Sequence, residues 1–198
     1  MDAKSTRDQI LEAADRLIYE HGYEHTSFTN IAEAVGISRG NFYHHFKTKD
    51  EILDAVIEAR IAKTRSVLQQ WKERARDPAA RIRSFIHMML ENRGDIRRFG
   101  CPVGSLCTEL GKLQHPSKAE ANKLFVLFRD WLRDGFVELG REAEADQLAL
   151  HALVRSQGVA TLAAAFNSEA LIRQEVALMD AWLQSCIPAP AGRKQARK

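Results

Sequence analysis

Apolar residues recur at three- and four-residue spacing along most of the chain, the period of amphipathic helices. Ile10, Leu11, Ala14, Leu17 and Ile18 form the first stripe, with Thr6 and Gln9 placed as a capping box before it and Gly22 as its stop. A shorter stripe follows: Phe28, Ile31, Ala32 and Val35, with Thr26 as the predicted cap and Gly36 where a left-handed stop is needed. Ser38 caps the next segment, where Phe42 and Phe46 stand four apart and share an inner face. Thr48 and Glu51 make a capping box for a long helix carrying Leu53, Val56, Ile57 and Ile61.

The remainder also reads as helix. Pro78 opens a segment bearing Ile82, Phe85, Ile86, Met89 and Leu90, predicted to end near Gly94. Residues 94–104 hold three glycines and a proline and form the clearest predicted break. A short helix is predicted over 105–113. Pro116 and Ser117 open another, whose broad apolar face runs through Leu124, Phe125, Leu127, Phe128, Trp131, Leu132 and Phe136 to a stop at Gly140. Two further helices are predicted at about 143–167 and 169–186. Residues 188–198, rich in Pro, Ala, Gly and basic groups, are expected to be disordered. The predicted fold class is all-α, with a helix-turn-helix domain over 1–50 (reading unit 27–46) and a helical body over 51–187.

Chemistry concentrates in the reading unit. With Phe42 and Phe46 inside, Arg39, Asn41, Tyr43 and His44 are left on outer or flanking sides. Arg and Asn bond base edges or phosphates, and a Tyr hydroxyl suits a phosphate. No acidic residue stands between Glu33 and Asp50, whereas Arg39, Lys47 and Lys49 do. The net charge of +3 adds little, because residues 1–50 carry six Lys/Arg against eight Asp/Glu. A favourable field for DNA must therefore be local to this helix and its edges. The later basic run, Arg60, Lys63, Arg65, Lys72, Arg74, Arg76, Arg81 and Arg83, reads chiefly as a solvated helix face.

Ile31-Ala32, Gly36-Ile37-Ser38, Gly40 and Phe42-Tyr43-His44-His45-Phe46-Lys47-Thr48-Lys49 resemble the signature of the TetR family of bacterial transcriptional regulators. The resemblance covers about residues 5–60, and Tyr23 resembles the aromatic residue of that family's gly-aromatic turn. It implies a repressor that binds a palindromic double-stranded DNA operator as a homodimer. The implied DNA-binding residues are Thr26, Ser27, Ser38, Arg39, Gly40, Asn41, Tyr43, His44, Lys47 and Lys49. Arg39, Asn41 and His44 are expected at bases, and Thr26, Tyr43, Lys47 and Lys49 at phosphates. The body would then bind a small-molecule effector and dimerise through about 143–186. Two stripes are the candidates for that contact. One is Val154, Gly158, Thr161, Leu162, Ala165 and Phe166; the other is Leu171, Ile172, Val176, Met179, Trp182 and Leu183.

The effector pocket or sensor is expected among Met88, Met89, Asn92, Phe99, Cys101, Cys107, Phe128, Trp131 and Gln157. Gly100-Cys101 resembles a Gly-Cys motif of a TetR-like subgroup, some of whose members sense electrophiles. The plainer reading of Cys101 is a small residue filling a tight turn. Cys101, Cys107 and His115 lack a familiar ligand spacing, so no metal is expected. Nucleophile-elbow, Walker, dinucleotide and His-Glu-x-x-His motifs are missing, so neither catalysis nor a cofactor is expected. The polar start, the lack of a long apolar run and the three cysteines lead us to expect a cytoplasmic protein, nucleoid-associated when bound and without a membrane partner. The competing reading is a helical ligand-binding or adaptor protein that no longer reads DNA.

Overall fold

The computed structural model describes residues 4–188, and every regular element among them is helical. The all-α expectation holds. Four helices come first: α1 (Thr6–His21), α2 (Phe28–Val35), α3 (Arg39–His45) and α4 (Lys49–Arg74). The body continues with α5 (Pro78–Glu91), α6 (Arg93–Phe99), α7 (Pro102–Lys112), α8 (Lys118–Glu138), α9 (Ala145–Ala165) and α10 (Glu169–Cys186). A 3-10 turn over Glu142–Glu144 precedes α9. Apart from Pro188, the tail expected to be disordered lies outside the described residues.

Helix ends follow local chemistry, with two caps displaced by one residue. Ser5, not Thr6, caps α1: its Oγ accepts from Asp8 N–H at 3.2 Å. Ser27, not Thr26, caps α2, in a box completed by Asn30. Gly36 closes α2 at φ 77°, ψ 32°, the left-handed conformation that favours glycine. Thr48 and Glu51 form the expected box at α4.

The predicted break over 94–104 shrinks to Gly100 and Cys101. Gly94 sits in the first turn of α6, and Pro102 occupies the first turn of α7, where its missing N–H costs nothing. Burial of Ile96 and packing of α6 on α9 override the weak helix propensity of Gly94.

Two hydrophobic clusters organise the molecule. The first joins Ile10, Ile31, Phe42, Leu53 and Ile57 to Leu106, Leu110 and Leu124, so the core does not stop at residue 50. The second unites Ile82, Phe85, Leu132, Phe136, Ala149, Ile172, Met179 and Leu183. A two-pronged ion pair, Arg81 Nη1 and Nη2 on Glu138 at 2.9 and 2.8 Å, ties α5 to α8. It holds the Glu138 carboxyl below its ordinary pKa.

Candidate nucleic-acid interface

The short α3 is held from behind by aromatic packing. Phe42 is fully buried, and Phe28 of α2 meets its ring at 5.0 Å and that of Tyr43 at 5.5 Å. Ser38 Oγ accepts from Asn41 N–H at 3.2 Å, which fixes the first turn. Arg39, Gly40, Asn41, Tyr43 and His44 all face outward, and Lys47 stands exposed just beyond. These six are therefore all accessible, spread around the side of α3 opposite Phe42 and just past its end. Arg39 Nη2 donates to Thr29 Oγ1 at 2.9 Å, so α2 orients the first basic side chain of α3. Lys47 Nζ donates to the Tyr43 carbonyl.

Other expected contacts are placed differently. Thr26 is buried, and its hydroxyl donates to Gly22 O at 2.7 Å. Its role is to close the turn after α1, so it is withdrawn as a phosphate ligand. The Ser27 and Ser38 hydroxyls remain exposed while serving as caps. Lys49 folds back: its Nζ donates to Glu24 O at 3.0 Å and lies 4.3 Å from the Tyr23 ring centre. Partial burial holds its pKa below the ordinary lysine value. Two hollows lie on this unit. One of about 650 Å³ is lined by Leu17, Glu20, His21, His25, Thr26 and Asn30. One of about 60 Å³ lies among Phe28, Thr29, Arg39, Phe42 and Tyr43.

Residues 10–56 match the family model described as bacterial regulatory proteins, tetR family. This N-terminal segment belongs to that family. The transcriptional regulator AcuR of Cereibacter sphaeroides is 32% identical over 147 residues, covering 73% of this chain and 65% of AcuR. An HTH-type transcriptional regulator in the lacX 3' region of Lactococcus lactis is 29% identical over 124 residues, 62% of this chain and 63% of that protein. The chain thus spans less than two thirds of either relative. A TetR transcriptional regulator from Legionella pneumophila shares the fold, with a TM-score of 0.83, 23% identity, and coverage of 95% of this chain and all of that one.

The body residues named as effector contacts separate by location. Asn92 is exposed and donates to Met88 O at 2.8 Å, so it ends α5 rather than facing inward. Met89 and Cys107 are buried in the core, and burial pushes the Cys107 thiol up to about 11. Phe128 meets Phe85 at 5.6 Å and Trp131 meets Trp71 at 5.7 Å. Among the described residues the buried Trp131 Nε1 has no hydrogen-bond partner. Phe99 packs edge-on to Tyr19 of α1 at 5.4 Å. Half-buried Met88 joins the second cluster. Gln157 reaches toward Gly104, where an added Cβ would meet its Oε1, the far end of a flexible side chain. Cys101 is itself the cap of α7, its Sγ accepting from Gly104 N–H at 3.4 Å.

The junction between body and reading unit is polar and extensive. Glu109 of α7 accepts from Tyr23 N–H at 2.8 Å and Glu24 N–H at 2.9 Å. Tyr19 donates its hydroxyl to Gly100 O at 2.7 Å. Arg60 of α4 donates to Pro102 O at 2.8 Å and pairs with Asp15 at 2.5 Å. None of Thr29, Tyr19, Arg60 and Glu109 stood out in the sequence as a site residue.

The outer face of α9 is apolar. Val154 is 62% exposed and Phe166 65%, flanked by Leu150 and Leu162, with Gly158, Thr161 and Ala165 also outward. On α10 the expected stripe turns inward: Ile172, Val176, Met179 and Leu183 are buried, and Leu171 and Trp182 pack against the same core. The outward face of α10 is mixed instead: Ala170, Ala177, Leu178 and Ala181 alternate with exposed Arg173, Gln174, Gln184 and Ser185. Among the described residues no group of three His, Cys, Asp or Glu is placed to hold a metal, and no helix is long and apolar enough to cross a membrane.

Proposed function

We propose that this chain is a DNA-binding transcriptional repressor that reads a two-fold symmetric operator as a homodimer and is released by a small-molecule effector. The observation that carries the reading is the outer face of α3: Arg39, Asn41, Tyr43 and His44 exposed on a helix anchored by Phe42, with no carboxylate from residue 34 to residue 49. Such a helix suits the major groove, where Arg and Asn pair with base edges and Tyr and Lys with phosphates. Arg39, Asn41 and His44 are assigned to bases, and Tyr43 and Lys47 to phosphates. Ser27, Ser38 and Gly40 shape the helix starts at the groove. Lys49 reaches phosphate only by leaving Glu24 O.

The apolar outer face of α9, with the small residues Ala170, Ala177 and Ala181 and Leu178 exposed on α10, supports the dimer. Two copies joined there form a four-helix contact and present two reading helices related by a two-fold axis. Half-sites about one turn of DNA apart, roughly 34–36 Å, would match such a pair. An effector among Met88, Phe128, Trp131 and their neighbours favours a body conformation in which α4 moves and the spacing is lost.

A second reading places the signal at Cys101. Its side chain caps α7, and the carbonyls on either side of it are held by Tyr19 and Arg60. An adduct on Sγ would disturb that cap.

The test is a mobility-shift assay of the full chain on the DNA upstream of its own gene, beside Tyr43→Ala. Specific, salt-sensitive binding weakened in the variant is expected. Equal binding by both proteins removes Tyr43 from the interface. Binding without sequence preference favours the adaptor reading.

A further inference from the structure

Glu109 does something no neighbour of it does: it satisfies two backbone amides of another unit, 86 and 85 residues earlier in the chain. Each carboxylate oxygen takes one N–H, Oε2 from Tyr23 and Oε1 from Glu24. Charge-assisted bonds of this kind are stronger than neutral ones. The turn is shaped around the carboxylate. Gly22 has φ +88°, and a Cβ there would stand 3.0 Å from Oε1 and 3.2 Å from Oε2. Position 22 therefore favours glycine for its backbone angle, and a Cβ there would crowd the Glu109 carboxylate.

The other end of α7 is fastened to the same unit. Tyr19 holds Gly100 O, and Arg60, itself paired with Asp15, holds Pro102 O. Between these points Leu106 and Leu110 are buried in the cluster that contains Ile10, Ile18 and Ile31. Beyond α7, Ser117 donates to Asp54 of α4 at 2.6 Å. The turn gripped by Glu109 runs through Thr26 into Ser27, the cap of α2, and α2 orients Arg39 through Thr29.

We propose that Glu109 is a positioning residue: its carboxylate fixes the placement of the reading unit against the body, so that a movement of α7, coupled to α4 through Arg60, tilts the reading helix. The mechanical claim stands on the contacts above; its consequence for operator spacing rests on the DNA-reading function proposed in the preceding section. A body ligand that displaces α7 carries the Gly22–Glu24 turn with it. The half-site contacts of α3 stay intact while the distance between the two copies changes.

Glu109→Ala and the milder Glu109→Gln, made in the full chain, test both parts. Residual dipolar couplings from α2 and α3 and from α9 should fit a single alignment tensor in the wild type. In Glu109→Ala they should require two, with Glu109→Gln between. A single tensor in both variants overturns the proposal, whatever the DNA result. Duplexes selected from a random pool should show the same half-site for wild type and variants. The variants should accept several spacings, with roughly tenfold weaker binding at the wild-type spacing and less than about twofold change on an isolated half-site. One sharp, unchanged spacing overturns the proposed effect on the operator. If the wild type itself enriches no half-site, the DNA-reading function fails while the dipolar couplings still decide the role of Glu109.

Discussion

Tyr23 donates its phenol to Asp50 at 2.6 Å, closing the turn after α1 onto the first turn of α4. His115 and Lys49 also face this carboxylate. The Tyr23 bond, partly opposed by burial and assisted by His115 and Lys49, holds the Asp50 pKa below its ordinary value. Burial and the same bond push the Tyr23 phenol above its ordinary range, so it stays protonated near neutrality.

This gives a pH prediction with a definite sign. A carboxyl with a depressed folded pKa contributes stability above its unfolded value, near 3.9 for Asp, and loses it as pH falls through the folded pKa. Tyr23→Phe should therefore be less stable than the wild type at pH 7, by under about 1 kcal/mol since Asp50 is largely exposed. That deficit should shrink on acidification. Carbon-detected titration of Asp50 should show its pKa rising in the variant. An unchanged pKa would remove Tyr23 as its cause.

Arg39 and Lys47 should fail in different ways. Arg39→Ala should cost about 1–3 kcal/mol on the preferred duplex and relax sequence preference at one position. Lys47→Ala should weaken all duplexes alike and lower the salt slope by about one. Thr29→Val should reproduce part of the Arg39 loss, and Thr29→Ser should restore it. Titrations at several salt concentrations distinguish these patterns.

The outer face of α9 should separate association from folding. Phe166→Glu or Val154→Glu places a charge on a side chain that is already exposed in one chain. Helix content should be kept, while sedimentation shows a shift from dimer to monomer. Ile172→Glu buries the same charge without a partner and should unfold the body. A dimer that survives both α9 substitutions would place the contact elsewhere.

The cysteines should differ in reactivity. Cys101 is half-buried, whereas Cys107 and Cys186 are buried, with thiol pKa values raised by that burial. A maleimide should therefore add first at Cys101, and intact mass should show that fast adduct missing from Cys101→Ser. If the adduct also releases DNA only in the wild type, the cysteine reading gains over a pocket ligand. Reaction with no effect on DNA leaves Cys101 as a helix cap alone.

Local signals were the legible part of this molecule. The apolar stripes, Gly22, Gly36 and the Thr48–Glu51 box are set by residues within one or two helical turns, and their elements appear where expected. The caps at Ser5 and Ser27 slipped by one residue because Thr and Ser are near-equal caps in adjacent positions. Gly94 misled because packing of α6 on α9 has no local sign. Periodicity showed that α10 has an apolar stripe but not whether it faces its own core or a second copy. Glu109 was invisible because its partners are backbone amides, which any residues but proline at 23 and 24 would offer.

Selection of duplexes from a random pool by the full-length protein tests the central claim most directly. Reading by two copies of α3 predicts one enriched half-site, repeated as an inverted pair at a fixed spacing, with enrichment lost in Tyr43→Ala and Arg39→Ala. No enrichment at low salt, or an enriched sequence indifferent to both substitutions, would contradict the assignment of α3 as the DNA-reading helix.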